Sequence, residues 1–185
     1  MRLILSAAVI GLLATTAPAF AGEEAAEGEA PVWYADFDKA VEAAKAQNKS
    51  LLVDFTGSDW CGWCIKLHKE VFQHDEFLTP AQKDFVLVAL DFPSSEEVKA
   101  KVPNPARNEE LSEKYGIQGF PTILLMNADG EVYAQTGYRE GGPEKYVEHL
   151  GEITKSGREA LVSTKELVNA FEAAEGEAKV AALGK

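Results

Sequence analysis

The sequence is poor in cysteine, with only Cys61 and Cys64 among its 185 residues. A bridge between them closes a loop of four residues, and so short a loop stabilises a fold far less than a long one. We therefore expect the pair to serve redox chemistry, with a purely structural bridge as the alternative. Because no cysteine precedes Cys61, we expect no lipid-modified amino terminus.

The sequence also lacks a run of about 20 apolar residues, the length that a membrane-spanning helix needs. The early apolar segment, residues 3–13, is shorter and is followed closely by Pro18. Arg2 before this segment and the small-residue pattern of residues 19–21 after it are typical of a cleaved secretory signal. We therefore expect residues 1–21 to be a signal peptide and the mature protein to be periplasmic or secreted, without a membrane anchor.

Basic residues are scarce, because 18 Lys and Arg stand against 30 Asp and Glu and the formal net charge is −12. A surface of this sign repels nucleic acids and anionic lipids, so neither is expected as a partner. Removal of the signal peptide leaves a chain with the length of one domain. Residues 22–30 contain only Gly, Ala and Glu, so we expect a disordered acidic linker over residues 22–32.

Apolar periodicity from residue 33 onward predicts helices and strands. Four strands are predicted, at residues 51–55, 85–90, 122–126 and 132–134, and Asp129-Gly130 predicts a hairpin turn before the last of them. The second strand is apolar throughout, which is typical of a central parallel strand buried on both faces. Helices are predicted at residues 36–47, 61–72, 109–115, 143–153 and 159–173, with a long connection at residues 94–108 that contains one helical turn near residues 95–100.

This order of elements predicts an α/β sandwich with a mixed sheet over residues 33–155. The second helical pattern past Gly157 predicts a C-terminal helical extension and tail over residues 156–185. The sequence contains no internal repeat, so a single domain with appended ends is the expected organisation.

Four motifs, in this order, resemble the landmarks of the thioredoxin family: Val53-Asp54-Phe55, Trp60-Cys61-Gly62-Trp63-Cys64, the segment 114–122 with Phe120-Pro121, and Asp129-Gly130. The combination is more specific than an isolated pair of cysteines. The resemblance implies a thioredoxin-like α/β/α sandwich with a mixed central sheet. It also implies an exported thiol:disulfide oxidoreductase that needs no bound cofactor and exchanges disulfides with client proteins and a redox partner.

Cys61 and Cys64 are the expected catalytic pair. Cys61 begins a helix, where unpaired backbone N–H groups favour a thiolate, and is expected to be open to solvent and to attack a client disulfide. Cys64, one turn deeper on the same face, is expected to resolve the mixed disulfide. The expected direction is reduction or isomerisation and not strong oxidation. The alternative function is a non-catalytic binding module that uses the connection at residues 94–108 and the C-terminal extension.

The resemblance implies that Asp54 lies buried beneath the cysteines and helps to move the proton of Cys64, with a pKa raised by desolvation. The chain has one more residue between this acid and Cys61 than is usual in thioredoxins. An acid turned to solvent at the end of the strand is the alternative, because carboxylates are rarely buried without a partner.

Phe120-Pro121 matches the cis-proline loop of the family, which faces the cysteines and offers backbone groups to an extended client segment. A proline that only begins a strand is the alternative. Trp60 and Trp63 flank the cysteines and are expected to shape the same docking surface, although Trp60 packed against the sheet is the second possibility.

No metal site is predicted. Cys61, Cys64 and His68 share one helical face, but structural zinc takes four ligands and the spacing offers no fourth. His68, His74 and His149 are therefore expected to be surface residues.

Overall fold

The structure is a computed structural model that describes residues 32–174. It contains a mixed four-stranded sheet with helices on both faces. The predicted signal peptide, nearly all of the predicted acidic linker and the end of the tail lie outside these residues. The strands are β1 (Ser50–Thr56), β2 (Phe85–Asp91), β3 (Thr122–Met126) and β4 (Val132–Thr136). The helices are α1 (Phe37–Gln47), α2 (Gly62–Leu67), α3 (Asp75–Asp84), α4 (Glu96–Lys99), α5 (Pro105–Lys114) and α6 (Gly142–Ala173). The predicted fold class is confirmed.

The strand order is β2-β1-β3-β4, with β1 and β2 parallel and the other two neighbouring pairs antiparallel. The prediction that residues 85–90 form a central strand is wrong, because β2 lies at one edge of this sheet. The backbone of Tyr34 covers part of that edge through hydrogen bonds with Leu87 and Ala89. Both faces of β2 are nevertheless packed by helices, which explains its continuous apolar sequence.

Alternate residues of β1 face two separate hydrophobic clusters, as the period of a strand requires. Leu51, Val53 and Phe55 pack with α1 and α5 on one face of the sheet. Leu52 packs with α2, α3 and α6 on the other face. Asp54 follows Leu52 in this alternation, so the sheet directs its carboxyl group towards the layer that contains α2.

Helix α3 was not predicted from the sequence. Its interior contains Pro80, which lacks the N–H that an interior helical position normally donates. Phe77 and Ala81 are buried in the same cluster as Leu52, so tertiary packing outweighs the unfavourable proline. Between α2 and α3 the chain makes one π-helical turn, His68–Phe72.

Two further helix boundaries differ from the prediction. Helix α5 begins at Pro105 and not at Glu109, because Asn104 caps it and a proline in the first turn needs no N–H partner. The helical turn expected near residues 95–100 is confirmed as α4.

The expected break near Gly157 is wrong, since α6 is one helix of 32 residues. A Cβ at Gly157 would clash with the carbonyl oxygen of Tyr133, so glycine serves close packing there and not a break.

Among residues 32–174, no helix combines the length and the apolar character that crossing a membrane requires.

Candidate active site

The two cysteines form a disulfide at the start of α2. Their sulfur atoms are 2.04 Å apart, and Cys61 is the capping residue of the helix. The backbone N–H of Cys64 donates to Sγ of Cys61 over 3.2 Å. Cys61 therefore occupies the helix terminus, where the N–H groups and the positive end of the dipole favour a negative sulfur.

Both cysteines are buried in this oxidised form, with 6% of Cys61 and 3% of Cys64 exposed. The expectation of an open Cys61 is wrong for this state. The reason is that its Sγ is turned back over the first helical turn, where it bonds to Cys64 and accepts the N–H of that residue.

The loop before Cys61 is held by the end of β2. The N–H and Oγ of Ser58 donate to the two carboxylate oxygens of Asp91 over 2.9 and 2.6 Å. Nε1 of Trp60 donates to the carbonyl oxygen of Phe92 over 2.8 Å. These bonds fix the position of the loop relative to the sheet.

The same loop is tied to the long connection that follows β2. Asp59 accepts the N–H groups of Ser94 and Ser95, each over 2.8 Å. These bonds lower the pKa of Asp59, because they stabilise its ionised form. The first residues of the 94–108 connection therefore hold the loop that carries the cysteines.

Asp54 is buried, with 7% of its surface exposed, so the solvent-facing alternative is wrong. Burial and, to a smaller extent, the nearby negative charge of Asp91 together raise its pKa to about 8. Its Oδ1 atom accepts no hydrogen bond from the described part of the chain. A carboxyl group in this setting is poised to take up or release a proton near neutral pH. Its catalytic role stays a prediction.

A cleft of about 590 Å³ opens beside Cys64 and Asp54. Its walls also include Asp91, which the sequence analysis did not single out. The alternation of β2 places Asp91 on the same face as Leu87 and Ala89, but only the pairing of β2 with β1 brings it next to Asp54. The other lining residues are mainly apolar or lie on α2 and the π-helical turn: Trp33, Thr56, Ser58, Ile65, His68, Lys69, Phe72, Gln73 and Ala89.

Trp60 directly precedes Cys61 in the chain and is 53% exposed. Its ring meets Phe120 edge-on at 5.8 Å between ring centroids, and Phe120 contacts Phe92 at 5.1 Å. The peptide bond between Phe120 and Pro121 is cis, as the resemblance implied. Trp60 is thus exposed and also held by its contacts with Phe92 and Phe120; its part in docking stays a prediction. We call Trp60, Phe92 and Phe120 the first aromatic wall.

Trp63 lies between the two cysteines in the chain and is 57% exposed. Its ring is 5.1 Å from that of Tyr138, and Nζ of Lys66 lies 5.2 and 4.9 Å from the two ring centroids. The hydroxyl of Tyr138 donates to Glu70 over 2.7 Å. We call Trp63, Tyr138 and Lys66 the second aromatic wall. Tyr138 comes from the segment between β4 and α6, so the local sequence around the cysteines could not reveal it.

The three histidines differ in their surroundings. His68 is exposed and His74 is half-buried. His149 is also half-buried, so the expected surface position is confirmed for His68 and only in part for His74 and His149. Nε2 of His149 lies 2.9 Å from the hydroxyl of Thr136, and its ring contacts Tyr146. Partial burial of this ring lowers its pKa. Within residues 32–174, no three ligating side chains are grouped so that they could hold a metal ion.

Sequence comparisons identify relatives of the whole domain. The sequence model of a thioredoxin-like domain matches residues 37–153. The disulfide bond reductase DsbH of Chlamydia pneumoniae is 32% identical over 160 residues, which cover 80% of this chain and 94% of that protein. The thioredoxin-related protein DsbJ of the same organism is 32% identical over 127 residues, 66% of this chain but only 35% of that protein.

Solved structures agree with these sequence relationships. A structure of a DsbH oxidoreductase superposes with a TM-score of 0.56 at 33% identity, covering 66% of this chain and 83% of that one. A thioredoxin from Thermus thermophilus superposes with a TM-score of 0.51 at 17% identity over 68% of this chain and 88% of that one, which supports the fold alone. With its Cys-x-x-Cys disulfide at the start of α2, the chain therefore belongs to the thioredoxin-like family of redox proteins.

Proposed function

We propose that this protein is an exported thiol:disulfide oxidoreductase that reduces or isomerises disulfides in client proteins through Cys61 and Cys64. The observation that carries the proposal is the disulfide at a helix start, with exposed aromatic walls on its outer side and a buried carboxyl group beneath it. The relative DsbH carries the name of a disulfide bond reductase, which favours the reducing direction.

The first step joins the reduced protein to its client. The Cys61 thiolate attacks one sulfur of a client disulfide, forming a mixed disulfide and releasing the other client sulfur as a thiolate that takes up a proton. The helix terminus stabilises the attacking thiolate, and the N–H of Cys64 already points at that sulfur.

The second step releases the client. The Cys64 thiol gives its proton to the Asp54 carboxylate, and the new thiolate attacks Sγ of Cys61. This attack restores the Cys61–Cys64 disulfide and expels the second client sulfur as a thiolate. Two electrons pass from the protein to the client, and a thiol-bearing redox partner returns the pair to the dithiol. Neither step requires a bound cofactor.

The two aromatic walls are the proposed client-docking surface. Trp60 and Trp63 each expose more than half of their surface beside the disulfide, and large aromatic side chains supply contact area with little loss of conformational entropy. The loop at Phe120-Pro121 is proposed to pair its backbone with an extended client segment. This arrangement favours breadth of clients over a single sequence.

Export follows from the predicted signal peptide at residues 1–21 and is part of the proposal. A periplasmic or extracellular location places the protein where client disulfides form and persist. The acidic charge of the chain supports protein clients over nucleic acid or anionic lipid as partners.

A non-catalytic binding module is the second candidate. It is favoured by the exposed apolar side chains on the C-terminal half of α6, namely Val162, Leu167 and Val168. The bonds from Asp59 to Ser94 and Ser95 speak against a separate binding role for the start of the 94–108 connection, because they tie it to the cysteine loop.

Insulin reduction with dithiothreitol as donor separates the two candidates. We expect wild type to accelerate precipitation of the insulin B chain and Cys61→Ser to have no activity above the donor alone. Ser156→Ala, on α6 and remote from the disulfide, is the matched control and should keep wild-type activity. Equal and negligible turnover by wild type and Cys61→Ser would favour the binding module.

A further inference from the structure

Two carboxylates share the cleft beside Cys64. Strands β1 and β2 are parallel, with Asp54 opposite Ala89 and Thr56 opposite Asp91. Residues two apart on a strand point to the same face, so Asp54 and Asp91 project from neighbouring strands towards α2. Both line the cleft that contains Cys64.

The surroundings of the two carboxylates differ. Asp91 accepts two hydrogen bonds from Ser58, and the hydroxyl bond of 2.6 Å has the length of a charge-assisted bond. Asp54 is buried, and its Oδ1 accepts no such bond from residues 32–174. When two carboxylates share a site, the better-solvated one ionises first and holds the other neutral. Asp54 is therefore the buried group whose protonation responds to its surroundings, and Asp91 is the hydrogen-bonded carboxylate beside it.

We propose that Asp91 is a positioning residue for the exchange reaction: its anchored negative charge governs the protonation of Asp54 and thereby the proton of Cys64. This inference rests on the proposed function. The ionisable groups around Asp54 are Asp91 on β2, Cys64 on α2, His68 and Lys69 on the π-helical turn, and Tyr146 on α6. Lys69 and His68 are exposed at the rim of the cleft, whereas the hydroxyl of Tyr146 donates to the carbonyl oxygen of Gly137. Asp91 is the neighbour whose negative charge acts directly on Asp54.

Loss of the Asp91 charge should lower the pKa of Asp54. Burial keeps Asp54 a weak acid, and the charge of Asp91 makes it weaker still. Without that charge Asp54 ionises at lower pH, so the step that needs its carboxylate reaches half of its maximal rate at lower pH. A residue that only anchors the loop would change the rate without moving this midpoint.

The direct test is an NMR titration of the Asp54 side-chain carbon in the oxidised, ¹³C-aspartate-labelled protein, with Asp54→Asn for assignment. Asp91→Asn should increase the ionisation constant of Asp54 on the order of tenfold, about one pH unit. Asp91→Glu, which keeps the charge, should restore most of the wild-type value. An unchanged midpoint in Asp91→Asn would overturn the inference.

Two control variants separate charge from structure. Ser58→Ala removes the hydroxyl bond to Asp91 but keeps its charge, and Asp59→Asn removes a carboxylate that holds the same loop from outside the cleft. Both should leave the Asp54 midpoint close to that of wild type. A shift in Ser58→Ala as large as that in Asp91→Asn would assign the effect to loop anchoring and overturn the inference.

The rate of mixed-disulfide release, measured across pH, connects the NMR titration to the disulfide-exchange reaction. The rate of release from a preformed mixed disulfide on Cys61 should fall to half of its maximum at a lower pH in Asp91→Asn than in wild type. This difference in pH should equal the shift of the NMR midpoint. Failure of wild type to reduce insulin would overturn the proposed function even if the NMR shift is found. Normal insulin reduction with no NMR shift would overturn the role of Asp91 alone.

Discussion

The two sides of the Cys61–Cys64 disulfide are built in opposite ways. The outer side presents aromatic rings to solvent, with Trp60 53% and Trp63 57% exposed. The inner side holds the buried Asp54 against a cleft that it shares with Asp91. Exposed rings suit contact with another protein, whereas a buried carboxyl group suits proton transfer. In the proposed function, client docking and proton transfer therefore depend on different residues.

The largest expected effect comes from the cysteines, where both sides meet. Cys61→Ser should abolish insulin reduction, because the attacking sulfur is gone. Cys64→Ser should instead accumulate mixed disulfides through Cys61, because the resolving sulfur is gone. Non-reducing gels of an oxidising extract, compared with reduced lanes, measure these adducts. Their absence from Cys64→Ser would contradict the assignment of the two roles.

Asp54→Asn tests the inner side. General acid–base groups contribute about 10²-fold or more to a rate, so release of the mixed disulfide should slow by about 10²-fold at pH 7. The variant should also lack the pH dependence that we expect of wild type around pH 8, the approximate pKa of Asp54. Stopped-flow release kinetics across pH measure both effects. An unchanged rate and profile would remove Asp54 from the reaction.

The same variant tests burial of this group through stability. Folding raises the pKa of Asp54 from 3.8 to about 8, so between these values the folded protein holds a proton that the unfolded chain has lost. This contribution to stability is fully present below the lower value and is lost as the pH rises to the higher one. Relative to Asp54→Asn, wild type should lose up to about 1.4 kcal/mol of unfolding free energy per pH unit in this window. Urea unfolding at several pH values measures the slope, and parallel curves would contradict it.

The smallest effect is expected on the outer side. Trp63→Ala should raise the KM for a protein client by about five- to tenfold, because one exposed ring contributes on the order of 1 kcal/mol to docking. The rate with a small disulfide such as Ellman's reagent should stay unchanged, since so small a substrate does not need to contact the second aromatic wall. Leu167→Ala, an equally exposed apolar residue on α6, is the matched control. Equal losses with both substrates would show that Trp63 acts on the cysteines and not on docking.

Local sequence patterns were sufficient for the parts of the fold that depend on neighbouring residues. Runs of apolar residues located all four strands, and the Cys-x-x-Cys spacing located the start of α2. The motif around Pro121 located the cis peptide bond. Each of these features depends on a few consecutive side chains, so the sequence contains the signal.

The features that the sequence did not reveal depend on tertiary contacts. Pro80 argues locally against α3, and burial of its neighbours in the core overrides it. Gly157 predicts a helix break from the local sequence, but in the structure it allows the backbone of Tyr133 to pack closely against α6. Asp91 reads as a strand end, and only the pairing of β1 with β2 brings it into the cleft of Asp54.

Alkylation of the two sulfurs in reduced single-cysteine variants tests the central claim most directly. We expect Cys61, in Cys64→Ser, to react at least about tenfold faster at pH 7 than Cys64 does in Cys61→Ser. We also expect the alkylation rate of Cys61 to have its pH midpoint below about 8.5, the value of an ordinary thiol. A slow Cys61 with a midpoint at or above that of an ordinary thiol would rule out Cys61 as the attacking thiolate.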